Sequence, residues 1–173
     1  MAYSSTKKKS SGIVQISICI LTVILVVLII AMMMIVSSIQ GTARIVNYAG
    51  LVRGKTQRIV KFEISGKQED DMIQEIESFI DGLRNGNKEL NLVRLDDSDF
   101  QAKMEELNEY FLMLKQEIMQ VRAYGADKTQ ILSKSEHFFK ICDEATGLAE
   151  AYSQRKASSL SVLEKYITAD IVV

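Results

Sequence analysis

The stretch from Ser10 to Ala43 contains no charged side chain, and this feature constrains the chain more than any other. The chain has 21 Lys and Arg and 22 Asp and Glu, and all of them except Lys7, Lys8 and Lys9 follow position 43. A soluble globular domain does not segregate its charge in this way. The first quarter of the chain is therefore predicted to lie outside any soluble core.

The segment Ile13–Ile39 is almost entirely apolar and is longer than the roughly 20 residues that a membrane-spanning helix needs. A secretory signal peptide is the alternative, favoured by Lys7–Lys9 and by the small residues at 41–43. Apolar regions of signal peptides run to only about 7–15 residues. The length therefore favours an uncleaved transmembrane helix.

The lysines that precede the apolar segment set the expected topology, because positive charge is retained on the cytoplasmic side. We predict a cytoplasmic tip at 1–12, a transmembrane helix at 13–39 and an extracytoplasmic domain at 40–168, in the cell membrane. Residues 169–173 resemble the start of a second span, and a genuine chain end at Val173 is the alternative.

The part of the chain after the apolar segment is acidic and free of proline. Here 18 Lys and Arg stand against 22 Asp and Glu, a net charge of −4, which does not favour nucleic acid as a partner. The whole chain contains no proline, the residue that most reliably interrupts helices. Long helices are therefore predicted.

Four helices are predicted, and the first is the membrane helix, continuing without a turn signal as far as Ser65-Gly66. The second covers about Gln68 to Arg84 and the third starts after a cap at Asp97 or Ser98 and ends at Gly125. The fourth starts near Lys128, and residues 88–97 are predicted to form a loop or a short extra turn with buried leucines. Short connections and matched lengths predict an all-α fold, an antiparallel four-helix bundle.

Apolar stripes support these helices. The stripe of the third is the most regular, with steps of four and three: Phe100, Met104, Leu107, Phe111, Leu114, Ile118 and Val121. The stripe of the second helix is Met72, Ile76, Phe79 and Leu83, and that of the fourth contains Ile131, Phe138, Cys142, Ala145, Ala149 and Tyr152.

The first helix carries two glycines, Gly50 and Gly54, each of which costs a helix about 1 kcal/mol relative to alanine. They belong to a stripe with steps of four and three: Ala43, Asn47, Gly50, Gly54, Gln57 and Lys61. Close packing of two copies of this helix in a homodimer would explain the glycines. In a purely structural role Arg53 would pair with an acid such as Glu63 or Asp143 of a neighbouring chain.

Packing alone does not explain two arginines beside this stripe. Arginine presents a planar fork of donors that suits oxyanions, and a dimer would double the positive charge. We therefore predict a binding site for a small anionic ligand at Asn47, Gly50, Arg53, Gln57 and Arg58.

These residues resemble a known family, the extracytoplasmic sensor domain of nitrate/nitrite sensor histidine kinases and of type IV pilus chemotaxis transducers. Its pattern N-x-A-G-x-x-R-x-x-x-x-R is matched by Asn47, Ala49, Gly50, Arg53 and Arg58. The segment is also similar to sensor regions of bacterial diguanylate cyclases and hybrid kinases.

The resemblance implies a four-helix bundle, a parallel homodimer and an anion held at the dimer interface by Arg53. It also implies that a kinase, a cyclase or a chemoreceptor output follows Val173, as in two-component systems and chemotaxis. Gly54 and Lys55 depart from the nitrate sensors.

Other candidate sites are weaker. His137 is the only histidine, which excludes a histidine cluster for a metal and an ordinary catalytic triad on this chain, and Cys142 is interpreted as a core residue. Met32–Met34 are interpreted as bilayer filler. No phosphate loop, dinucleotide fingerprint or nucleophile elbow is present, so neither a cofactor nor enzymatic activity is predicted. The alternative function is a single-pass membrane protein whose coiled-coil exterior binds another protein.

Overall fold

The computed structural model describes residues 4–125 and 128–172. This part of the chain forms four α-helices, α1 (Ser4–Ser65), α2 (Asp70–Asn85), α3 (Ser98–Tyr124) and α4 (Lys128–Val172). The prediction of an all-α fold with four helices is confirmed. The second helix begins two residues later than predicted, because Glu69 occupies the cap position with an extended φ of −139°.

Two compact units divide the chain. One consists of Met1–Ile39 together with Arg155–Val173, and the other is Gln40–Gln154. The predicted limits of the cytoplasmic tip and the transmembrane helix, the predicted end of the sensor domain at 168 and the second span at 169–173 stay predictions. Residues 1–3 of the tip and Val173 lie outside the described residues.

The first unit contains the apolar part of α1. Gly12–Ser65 includes a segment with a mean hydropathy of 3.3, long and apolar enough to cross a membrane. Its side chains are largely exposed, and the hydroxyls of Ser17 and Thr22 donate hydrogen bonds to the backbone oxygens of Ile13 and Ile18 at 3.0 and 2.8 Å. Polar groups satisfied within the helix are compatible with hydrocarbon surroundings.

The second unit is the bundle, in which neighbouring helices run antiparallel. Ion pairs join the helices in the order α1, α2, α3, α4 and back to α1: Lys55 with Glu75, Lys115 with Glu77, Lys103 with Glu144, and Arg53 with Asp143, at 2.5–2.7 Å. Ring contacts follow the same order, with Tyr48 against Phe79 at 4.9 Å and Phe111 against Phe138 at 5.7 Å between centroids.

All seven residues of the predicted stripe on α3 are buried, as predicted. The buried face of α2 is wider than the prediction, because Ile73 and Ile80 are buried beside Ile76, Phe79 and Leu83, whereas Met72 is only partly buried.

The helix ends follow the predicted signals. The backbone N–H of Phe100 donates to the Asp97 carboxylate at 3.0 Å, and Gly125 ends α3 in the left-handed conformation, with φ 64°. The predicted loop with buried leucines is confirmed: an isolated bridge joins Asn87 to Leu92, and Leu92 and Leu95 are buried.

Candidate functional site

The bundle part of α1 has one buried face and one exposed face. Thr42, Ile45, Ala49, Val52, Thr56 and Ile59 are buried at steps of three and four. The Thr56 hydroxyl donates to the Val52 oxygen at 2.8 Å, so this buried polar group is satisfied within the helix. The stripe with the glycines lies on the opposite face of α1.

This exposed face carries four of the five predicted site residues. Asn47, Gly50, Arg53 and Arg58 are exposed, and Gln57 is half-buried. A Cβ atom added at Gly50 or at Gly54 would meet no atom within 4 Å, leaving aside α1's own nearby backbone. Nothing in the single chain therefore requires glycine at either position.

Arg53 forms an ion pair with Asp143 on α4, at 2.7 Å from Nη1 to Oδ1. The pairing predicted for a structural arginine is thus made within the chain, and Glu63 pairs with Arg122 instead. The side chains of Arg53 and Asp143 remain 45% and 55% exposed, and such surface pairs contribute about 0–1 kcal/mol. Because the pair is half exposed and weak, an anion from solution can replace the Asp143 carboxylate as the partner of Arg53.

Arg58 lies over the ring of Phe62, with 5.3 Å between its guanidinium carbon and the ring centroid. Arg53 and Arg58 are five residues apart, which corresponds to about 140° around an α-helix. They therefore flank the glycine stripe on opposite sides. Within one chain the two guanidinium groups do not face each other, and a surface packed against the stripe would lie between them.

Gln57 lies one helical turn after Arg53 and, like Arg53, faces α4, where it lines a groove between α1 and α4. This groove has a cavity volume of about 220 Å³ and is lined by Gln57, Val60, Lys61, Ile64, Leu132, Ser135, Glu136 and Phe139. Sequence reasoning did not find it, because the lining comes from segments about 75 residues apart. The only local signal is the spacing of Leu132, Glu136 and Phe139 along one face of α4.

The weaker candidates are structural or on the surface. Cys142 is buried, and burial, followed by the negative charge of Asp143, raises the pKa of its thiol to about 12, against the opposing effect of Arg53. A thiol with this pKa is unreactive at neutral pH, as predicted for a core residue. His137 is exposed, with its ring 4.6 Å from that of Tyr110. The described residues contain no group of three or more side chains suited to a metal ion.

No protein-family model and no curated protein matches the chain by sequence. Among solved structures, the ligand-binding domain of the P. aeruginosa nitrate receptor McpN is similar, with a TM-score of 0.57 and 18% sequence identity, over 64% of this chain and 96% of that domain. The chain therefore shares the helical-bundle fold of that domain.

Proposed function

We propose that the chain is the ligand-sensing and transmembrane signalling module of a bacterial membrane receptor. Its apolar segment anchors it with the N-terminus in the cytoplasm and the bundle outside. The ligand is a small anion, bound between the α1 helices of two copies by Asn47, Gly50, Arg53, Gln57 and Arg58. A histidine kinase, a diguanylate cyclase or a chemoreceptor domain receives the signal.

One observation carries this proposal: Gly50 and Gly54 lie on an exposed helix face, in open space, with an arginine on either side. Two exposed helix glycines together cost on the order of 2 kcal/mol relative to alanine. A second helix that approaches the stripe closely would explain why this cost is retained. Two copies of Arg53 at such an interface form a cluster of positive charge that an oxyanion can neutralise.

The Arg53–Asp143 pair connects this site to α4. An anion that binds Arg53 competes with the Asp143 carboxylate for the same donors. Loss of the pair removes a direct ionic link between α1 and α4, and the relative position of the two helices can then change by about 1–2 Å, as in other helix-shift mechanisms. Binding therefore favours one of two arrangements of these helices.

Calorimetry and thermal unfolding of the detergent-solubilised chain test the proposal, with nitrate, nitrite and small carboxylates as probes. Arg53→Ala removes charge-assisted hydrogen bonds worth about 1.5–3 kcal/mol each, so the affinity should fall about tenfold or more. Arg44→Ala, at another exposed position of α1, is the matched control and should bind as the wild type does.

The opposite results would overturn the anion site. If no anion shifts the melting temperature of the wild-type chain, the site does not bind anions. If Arg53→Ala lowers the melting temperature strongly and alters no ligand effect, Arg53 is a structural residue. Since its pair with Asp143 is about half exposed, we expect little destabilisation.

A second candidate function is the binding of another protein, and an exposed apolar surface on α3 favours it. Leu112, Met113 and Met119 are each more than 40% exposed, and Leu112 and Met119 line a surface depression of about 440 Å³. Aliphatic and methionine side chains are typical of adaptable protein-binding surfaces. Leu112→Gln with Met119→Gln would abolish partner binding under this alternative and leave anion binding unchanged.

A further inference from the structure

The groove between α1 and α4 contains two opposite charges that do not pair. Lys61 lies on the α1 side and Glu136 on the α4 side of the same cavity. Among the described residues, neither side chain has a hydrogen bond or an ion pair. By contrast, Arg53 and Asp143 on the same two helices form an ion pair, and so do Lys134 and Glu117 close by.

We infer that this groove is a second ligand site, for a small zwitterion with an apolar side chain, such as an aliphatic amino acid. The Lys61 ammonium would bind the ligand's carboxylate and the Glu136 carboxylate would bind its ammonium group. A ligand with a single charge would leave one of the two protein charges unmatched. The arrangement therefore favours zwitterions over simple anions and simple amines.

The base of the groove suits an aliphatic group. Val60 and Phe139 are buried, Ile64 is partly buried, and Leu132 is exposed at the rim. Because burial of apolar surface is favourable, the exposed apolar surface at Leu132 and Ile64 favours an apolar ligand group. The Ser135 hydroxyl donates to the Leu132 oxygen at 2.7 Å, which leaves its own oxygen as an acceptor.

The size of the cavity limits the ligand. Its volume of about 220 Å³ is smaller than the roughly 300–1,000 Å³ typical of sites for drug-sized molecules. A molecule of the size of a free amino acid fits this volume. Gln57, at the edge, has a side-chain amide that both donates and accepts hydrogen bonds, so it can bind either end of a zwitterion.

This site differs from the proposed anion site in its composition. All of its lining residues belong to one chain, so binding does not require a dimer. It shares only Gln57 with the anion site. A ligand in the groove contacts both α1 and α4, and it would therefore stabilise one relative position of these helices.

The test uses three probes that differ by one charged group, with calorimetry on the detergent-solubilised full chain. L-leucine carries both charges, 4-methylpentanoate lacks the ammonium group and isopentylamine lacks the carboxylate. We expect leucine to bind about tenfold or more tightly than either analogue, the effect of one charge-assisted hydrogen bond. Equal binding of all three probes, or no binding of leucine, would overturn the proposal.

Two variants test which charged group of leucine each protein side chain binds. Glu136→Gln should reduce leucine to the affinity of 4-methylpentanoate, and Lys61→Gln should reduce it to that of isopentylamine. Glu150→Gln and Lys88→Gln change exposed charges outside the groove and are the matched controls. Because Lys61 and Glu136 are exposed, the variants should fold, as far-ultraviolet circular dichroism can verify. If both groove variants bind leucine as the controls do, the ligand lies elsewhere and the assignment is wrong.

Discussion

Arg122 on α3 and Glu63 on α1 form a two-point ion pair that crosses the bundle between residues 59 positions apart. Nε of Arg122 donates to one oxygen of Glu63 at 3.0 Å, and Nη2 donates to the other. Nη1 donates to Asp70 at the start of α2, at 2.5 Å. The side chains of Arg122 and Glu63 are only 12% and 3% exposed. Three helices are thus joined by one guanidinium, whose pKa is raised chiefly by the hydrogen bond to Glu63.

Replacement of this arginine should destabilise the bundle strongly. In Arg122→Met the Glu63 carboxylate stays buried without its partner, and the loss of one member of a buried pair costs about 3–5 kcal/mol. The free energy of unfolding, measured by denaturant titration of the solubilised chain, should fall by that amount.

Arg84→Met is the matched control, since Arg84 pairs with Glu105, which is more than half exposed. A surface pair contributes about 0–1 kcal/mol, so this variant should lose little stability. If the two variants lose the same free energy of unfolding, the buried pair of Arg122 with Glu63 does not stabilise the bundle more than a surface pair does.

Replacement of a glycine in the stripe should have opposite effects on the stability of the single chain and on dimerisation. Gly50→Ala should raise the stability of an isolated chain by up to about 1 kcal/mol, because alanine favours helix and its Cβ meets open space. If the stripe packs against a second copy, the same substitution should weaken dimerisation, as measured by analytical ultracentrifugation in detergent.

Gly147→Ala on α4 separates the two effects, since a Cβ there also meets nothing within 4 Å. Gly147→Ala should raise the stability of the chain without changing its dimerisation. If Gly50→Ala and Gly147→Ala behave alike in both measurements, the proposed interface is not at the stripe. A cysteine at position 50 should cross-link two copies if the interface is correct.

Cys142 should react with thiol reagents only when the bundle unfolds. The pKa of its thiol is about 12 in the fold, against an ordinary value of 9.0, so the folded state favours the neutral thiol. Its contribution to stability is complete below about pH 9 and is lost as the pH rises from there through about 12. Alkylation of a Cys19→Ser variant, followed by mass spectrometry across denaturant concentrations, measures this directly. Rapid alkylation of the folded chain at neutral pH would contradict the burial.

Asp143→Asn should strengthen anion binding. The variant removes the carboxylate that competes for Arg53, so calorimetry with nitrate or the best carboxylate probe should give a severalfold tighter dissociation constant. Glu144→Gln is the control beside it, because Glu144 pairs with Lys103 and not with Arg53. Weaker binding by Asp143→Asn would indicate that Asp143 positions Arg53 for the ligand and does not compete with it.

The sequence predicts those parts of the fold that have a local signature. The stripe on α3 and the caps at Asp97 and Gly125 are visible within a few residues, and all were correct. The partner of Arg122 was not predictable, because a pair separated by 59 positions leaves no local pattern, and Asp143 was predicted as a partner of Arg53 only from a neighbouring chain. For the same reason the sequence does not reveal the groove that contains Lys61 and Glu136. The exposure of the glycine stripe, by contrast, agrees with its helical spacing.

The caps at both ends of α3 have a consequence for the order of folding. Capping lets α3 form early, and its contacts with α2 join residues that are close in the sequence, such as Glu77 and Lys115. The contacts between α1 and α4 require closure of a far longer loop, with Arg53 and Asp143 at its ends. We therefore expect the α2–α3 hairpin to form the folding nucleus and the α1–α4 seam to close last. By the same reasoning this seam opens first in native-state hydrogen exchange, so the two helices that carry the binding groups are the most easily separated.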